Sequence, residues 1–94
     1  MKVSLIIPCL NEEKTIQDLL AAICEQDFPL TDLEVIIADG MSKDKTRAKI
    51  REFAEGVPEL EIRVIDNPKR NRSAALNLAI KAAMGDYIIR MDAH

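Results

Sequence analysis

Apolar positions along this chain alternate between two kinds of spacing. Val3-Ser4-Leu5-Ile6-Ile7 is a short β-branched run that Pro8 ends. Runs apolar at nearly every position suit strands covered on both faces, as in a parallel sheet. Ile16, Leu19, Leu20 and Ile23 then recur at i, i+3, i+4 and i+7, which predicts an amphipathic helix. Asn11 is its expected N-cap, with Glu12 and Glu13 at the positive end of the helix dipole. Phe28-Pro29 closes the segment.

The alternation continues. Leu33 to Ala38 predicts a second strand, stopped by Asp39-Gly40. A helix from about Lys45 to Glu55 follows, with Ala48, Ile50, Phe53 and Ala54 on its apolar side and Gly56-Val57-Pro58 as its stop. Ile62 to Ile65 is the third strand, and Asn67-Pro68 marks a turn. Ser73 to Met84 reads as a third helix with Leu76, Ala79, Ile80 and Ala83 on one side, and Gly85 is its expected C-cap. Tyr87 to Met91 is the fourth strand, leading into Asp92-Ala93-His94. The order β-α-β-α-β-α-β predicts an α/β class. The expected fold is a Rossmann-like, mostly parallel sheet with right-handed crossovers and helices on both faces.

Composition narrows the picture. Ninety-four residues suffice for one domain. Phe28, Phe53 and Tyr87 are the only aromatics, so the core must be aliphatic, and Met41, Met84 and Met91 read as filler for it. The net charge of -3, from 13 basic and 16 acidic residues, argues against bulk nucleic-acid binding. Cys9 and Cys24 lack CxxC spacing and read as reduced, partly buried thiols. No run reaches the ~18 apolar residues of a membrane span. Pro8 and Asn11-Glu12-Glu13 close the N-terminal run too soon for a secretory signal. A cytoplasmic location is expected, at the inner face of the membrane if a longer parent protein is anchored there.

In open α/β sheets, ligands bind beyond the carboxyl ends of the strands. Those places hold Pro8-Cys9-Leu10-Asn11-Glu12, Asp39 through Thr46, Asp66 through Arg72, and Asp92-Ala93-His94. No Gly-x-Gly-x-x-Gly follows strand one, and no P-loop motif is present. Dinucleotide and P-loop sites are therefore disfavoured.

Four motifs at these ends resemble, in order and spacing, the N-terminal half of a family 2 glycosyltransferase with the GT-A fold. Val3 to Pro8 followed by Asn11-Glu12 is similar to that family's opening strand and Pro-x-x-Asn-Glu turn. Val35 to Gly40, then Ser42, Asp44 and Thr46, resembles its acidic strand end and Ser-x-Asp-x-Thr loop. Asn67-Pro68 through Ala74-Ala75 to Asn77 is similar to the segment leading into its third helix. Asp92-Ala93-His94 stands at the place of its Asp-x-Asp metal motif. Singly each motif is weak; the four together are specific. The Arg-Met-Asp-Ala-His ending looks closest to the subgroup typified by succinoglycan biosynthesis enzymes.

The resemblance implies that residues 1–94 are the nucleotide-sugar-binding part of the domain. The acceptor half, with its catalytic base, then lies elsewhere. It implies a nucleoside-diphosphate sugar donor, a UDP-sugar by preference, and a glycan or lipid-linked acceptor. It also implies inversion at the anomeric carbon, in exopolysaccharide or cell-surface glycan synthesis. Residues 1–94 alone are expected to be inert. Two departures stand out: Gly40 replaces a second acid after strand two, and His94 replaces an acid in the metal motif.

Asp92 and His94 are candidate ligands for Mn²⁺ or Mg²⁺, and an imidazole favours Mn²⁺. Two residues apart on an extended strand end, they point the same way. Alternatively, Asp92 forms a turn and His94 is a frayed terminus. Asp39 is a candidate acceptor for a nucleobase N–H; otherwise it makes an Asx-turn before Gly40. Pro8 and Asn11 shape the first loop, and Glu12 either orients that loop, reaches the ribose or only starts the helix. Lys69, Arg70 and Arg72 form the dense basic cluster. Arg70 and Arg72 suit a diphosphate, although a solvated loop is the commoner fate of such a run. Ser42, Asp44 and Thr46 are expected to cap the second helix. Asn77, a poor helix residue, is a further candidate for the nucleotide.

Two rival classes stay in view. A receiver-like signalling module needs paired acids after strand one, where Pro8-Cys9 stand. A non-catalytic homo-oligomer could form through a sheet edge left uncovered.

Overall fold

The computed structural model describes residues 2–92. In chain order the elements are β1 (Val3–Cys9), α1 (Ile16–Cys24), β2 (Leu33–Asp39), α2 (Thr46–Gly56), β3 (Glu61–Asp66), α3 (Arg72–Ala82) and β4 (Tyr87–Arg90). A single 3-10 turn, Leu30–Asp32, leads into β2. The four strands form one parallel sheet in the order β3-β2-β1-β4, as the alternating pattern predicts. Cys9, Asp39 and Asp66 stand side by side in its register, so three strands end along one rim.

Side chains alternate across the sheet and build two cores. Leu5, Ile7, Val35 and Ile37 pack with Ile16, Leu20 and Ile23 of α1 and Ile50 of α2. Ile6, Ile36 and Ala38 meet Ala75 and Ala79 of α3 on the other face. Fully burying an Ile or Leu contributes about 1.5–3 kcal/mol, so the α1/α2 face supplies most of the apolar stabilisation.

Several local expectations change. The buried residues of α3 are Ala75 and Ala79, while Ile80 is 48% exposed. Small residues let α3 lie close to a face already filled by Ile6 and Ile36; Leu76 and Ala83 pack at the margin of this contact, as expected, and Ile80 points outward. In α2, Thr46 and Ile50 are buried and Ala48 is exposed. Met41 and Met84 are exposed, not core filler, whereas Met91 packs against the α1/α2 core. Gly85 is not a left-handed cap, because no glycine has positive φ. A Cβ on Gly85 would lie 2.6 Å from Ser4 Oγ and 2.9 Å from the Lys2 carbonyl oxygen. The glycine is needed for close approach of the α3–β4 link to β1.

Beneath that link lies a buried polar cluster. Glu34, 1% exposed, accepts hydrogen bonds from Ser4 Oγ (2.6 Å), the Met84 N–H (2.8 Å) and Arg63 Nη2 (2.9 Å). Arg63 also reaches the Ala82 carbonyl, and the Gly85 N–H donates to Ser4 Oγ. Burial by itself raises the Glu34 pKa. The Met84 N–H, the Ser4 hydroxyl and the Arg63 guanidinium outweigh it, so the carboxyl titrates below its ordinary value.

Among the described residues β4 pairs only with β1, and all four of its residues are exposed. No helix among the described residues is long and apolar enough to cross a membrane.

Candidate functional site

The loops that leave the strand ends are tied together by side chains. α1 begins at Ile16, not just after Asn11. Asn11 takes a left-handed φ of 51°, and residues 12–15 form a turn. The N–H groups of that segment are satisfied from the β2–α2 loop. Asn11 N–H donates to Ser42 Oγ (2.8 Å), Glu12 N–H to Thr46 Oγ1 (2.8 Å) and Glu13 N–H to Asp44 Oδ2 (3.3 Å). In return the Lys43 N–H donates to Asn11 Oδ1. Ser42, Asp44 and Thr46 therefore serve the first loop more than their own helix. Only Asp44 also accepts from the Thr46 N–H, at the start of α2. These bonds hold the Asp44 carboxyl below its ordinary pKa against the opposing effect of burial.

Asp39 is fully buried. Its oxygens accept from the Ser42 N–H (2.9 Å), the Ser42 hydroxyl (2.5 Å) and Arg47 Nε (2.7 Å). Arg47 Nη2 also pairs with Asp66 Oδ1 at 2.7 Å, which raises the Arg47 pKa further. Asp39 thus anchors a loop, and its lone pairs are largely committed. Gly40 sits where a Cβ would be 3.3 Å from Leu10 Cδ1 and 3.4 Å from Arg70 Cα. A larger residue there would press on both neighbouring loops.

A cleft of about 180 Å³ opens at the rim, lined by Pro8, Cys9, Leu10, Glu12, Asn67, Arg70, Asn71, Arg72, Ala75 and Asp92. Five of the sequence candidates meet here: Pro8, Glu12, Arg70, Arg72 and Asp92. Asn11 and Asp39 lie outside the lining, in the bonded loop framework behind it. Asn77 is exposed and lines a separate depression with Pro68, Lys69 and Lys81. His94 lies outside the described residues.

Arg70 holds a left-handed φ of 63° and has no carboxylate partner among the described residues. Backbone strain of this kind costs about 1–3 kcal/mol and gathers where a loop is shaped for a ligand. Arg72 opens α3 and forms an ion pair with Asp92 across the cleft. Among the described residues no three His, Cys, Asp or Glu side chains converge. Asp92 is already engaged by the Arg72 guanidinium, so the described lining on its own suits an anion better than a cation.

Sequence reading did not single out Asn67, which is 2% exposed. Its Nδ2 donates to the Asn71 carbonyl at 2.9 Å, which fixes the amide orientation, while Oδ1 has no partner among the described residues. The Asn-Pro pair advertised a turn and the segment leading into the third helix, not a buried acceptor. Cys9 lines the cleft as well. Burial first, then the carboxylates of Asp39, Glu12 and Asp44, push its thiol up to about 12. It is no nucleophile at neutral pH.

Comparison with known proteins identifies the family and the fold. Residues 4–94 match the family model for glycosyl transferase family 2. The chain is 44% identical over 92 residues to the succinoglycan biosynthesis protein ExoA of Rhizobium meliloti (strain 1021), covering 96% of this chain and 27% of that protein. Mannosyltransferase PcManGT from Pyrobaculum calidifontis, solved with GDP-Man and Mn²⁺, superposes with a TM-score of 0.91 at 35% identity, over 98% of this chain and 27% of that one. The Staphylococcus aureus TarS 1–349 structure with UDP gives 0.84 at 32% identity, over 99% and 27%. The chain spans 27% of the length of each of these three. With its parallel sheet, its loop-lined rim and these likenesses, the chain belongs to glycosyl transferase family 2 and has the GT-A fold.

Proposed function

We propose that residues 1–94 form the donor-binding part of an inverting glycosyltransferase, in which the cleft holds the diphosphate and base of a nucleoside-diphosphate sugar. The observation that carries the reading is the meeting of Arg70, Arg72 and Asp92 at one rim, beside the start of α3. Guanidiniums pair with phosphate oxygens, and a helix N-terminus favours anions. Asp92, with His94, would hold Mn²⁺ or Mg²⁺. When bound, such a cation acts as a Lewis acid toward the charge that develops on the departing diphosphate.

Asn67 Oδ1 is buried beside this cleft without a partner among the described residues, and would reach a nucleobase N–H or ribose hydroxyl only after a local shift of its loop. It supports the reading better than Asp39, whose oxygens are in use. Pro8 and Asn11 shape the loop along the nucleoside, and Glu12 orients it. Asn77 contributes only if the ligand extends over the outer face of α3. The relatives' names support a UDP- or GDP-linked donor and a role in polysaccharide or glycan synthesis. Proton removal from the acceptor hydroxyl needs a base, which this reading assigns to the part of the parent protein beyond residue 94. The cytoplasm, or the inner membrane face, is where such a donor would be met.

Calorimetric titration with UDP, GDP and CDP, each with and without Mn²⁺, tests the reading. Cation-dependent binding of one of them is expected, strongest in a version continued past His94. No heat from any of the three in that longer version would overturn it. Sugar transfer by residues 1–94 alone would contradict the assignment of the base.

Self-association is a second reading, favoured by β4. Tyr87, Ile88 and Ile89 leave both faces of this edge strand 45–59% exposed. A monomeric elution at millimolar concentration would exclude it.

A further inference from the structure

Resting on the self-association reading, the geometry points to a second copy of this chain as the occupant of the β4 edge, paired antiparallel to it across a two-fold axis at Ile88. Tyr87 and Met91 turn their N–H groups to the Lys2 and Ile6 carbonyls beside β4. Backbone groups alternate in direction along a strand, so those of Ile88 and Arg90 face the open edge. Both faces beside that edge are apolar. Ile89 lies next to Leu5 on the α1 face and lines a groove of about 380 Å³ with Ile23, Phe28, Leu33 and Met91. Ile88 lies next to Ser4 on the α3 face and is 45% exposed.

The side chains select one register. In an antiparallel pair, residues whose backbone groups face the edge must oppose each other. With the axis at Ile88, that residue opposes its own copy and exchanges two backbone hydrogen bonds with it. Tyr87 then opposes the partner's Ile89 at the lip of the groove, an aromatic and β-branched pair of the stabilising kind. Asp86 opposes the partner's Arg90. Arg90 has no carboxylate partner among the described residues. Asp86 accepts from the Lys2 N–H on Oδ2 at 3.1 Å, which leaves Oδ1 for a guanidinium. Sliding the pairing by two residues either way puts a charged residue, Asp86 or Arg90, against Ile88. Two-fold symmetry makes each of these contacts twice, so the charges match at both ends of the pairing.

Sedimentation velocity tests this on the protein, on Asp86→Arg, on Arg90→Asp and on an equimolar mixture of the two variants. Each variant alone sets like charges opposite each other at both ends, and its dimer is expected to weaken roughly 10-fold. In the mixture each copy meets the other's opposite charge, so dimerisation should return to the parent level. That recovery also shows that the variants are folded. If the parent protein stays monomeric at millimolar concentration, self-association fails and the inference with it. If both variants and their mixture associate as the parent does, self-association stands and this register is overturned. Dimers of residues 1–94 that vanish in a version continued past His94 would give the edge to the rest of the parent chain, and would overturn the inference as well.

Discussion

Replacing Glu34 by Gln strikes the polar cluster that fixes the start of β4, and so the direction in which Asp92 leaves the sheet. The glutamate accepts three hydrogen bonds, two on Oε2 from Ser4 and Met84 and one on Oε1 from Arg63. A glutamine can keep the first two only by placing its amide nitrogen against the Arg63 guanidinium, donor against donor. Arg63 must then swing away and give up the Ala82 carbonyl. Breaking a buried ion pair on one side costs about 3–5 kcal/mol. The Arg63 side chain is 37% exposed and can rehydrate, so the lower end, about 3 kcal/mol, is expected. A domain of this size has a total stability of roughly 5–14 kcal/mol. With a urea m-value of about 1.5 kcal/mol/M, the midpoint should fall by about 2 M with m unchanged.

The pH dependence has a definite sign. The folded Glu34 pKa lies below its ordinary 4.5. Its stabilisation is therefore full above the unfolded value and is lost as pH falls through the lower folded value. The gap between parent and Glu34→Gln should close in that acid window, because a protonated glutamate resembles glutamine. A loss under ~1 kcal/mol at pH 7, or a gap that stays constant from pH 6 to pH 3, would refute this account of the cluster.

Two further outcomes follow from the same contacts. Gly85→Ala should lower the melting temperature through a cost of about 1–3 kcal/mol, because its Cβ meets Ser4 N at 2.8 Å and the Lys2 carbonyl at 2.9 Å; an unchanged melting temperature would show that the link can shift freely. Cys9, with its thiol pushed up to about 12, should resist iodoacetamide at pH 8 in the native state and react on unfolding, while Cys24, only partly buried, reacts first; peptide mapping of the alkylated protein distinguishes the two.

The sheet and its helices were legible because their signals are local. A run such as Val35-Ile36-Ile37 needs two covered faces wherever it lies. The start of α1 was not legible, because the N–H groups of Asn11, Glu12 and Glu13 are satisfied by side chains 31 to 34 residues away. No capping rule reads across that distance. On α3 the expected Leu76, Ala79 and Ala83 do pack toward the sheet, and only Ile80 was misplaced, with Ala75 taking the buried position instead. Glu34 did carry a signal, a lone acid inside an apolar run, although only the fold shows its partners.

The site divides in the same way. Residue types placed Arg70, Arg72, Asp92 and Glu12 at strand ends, and parallel topology brought them to one cleft. The commitment of Asp39 to Ser42 and Arg47, and the unpartnered Oδ1 of Asn67, depend on tertiary contacts that spacing does not encode.

Amide chemical-shift mapping with UDP or GDP and Mg²⁺ tests the donor cleft most directly. The account predicts shifts at Leu10, Glu12, Asn67, Arg70, Arg72 and Asp92, and none along the outer face of α2. Shifts confined to the exposed β4 edge, or spread evenly over the surface, would contradict it.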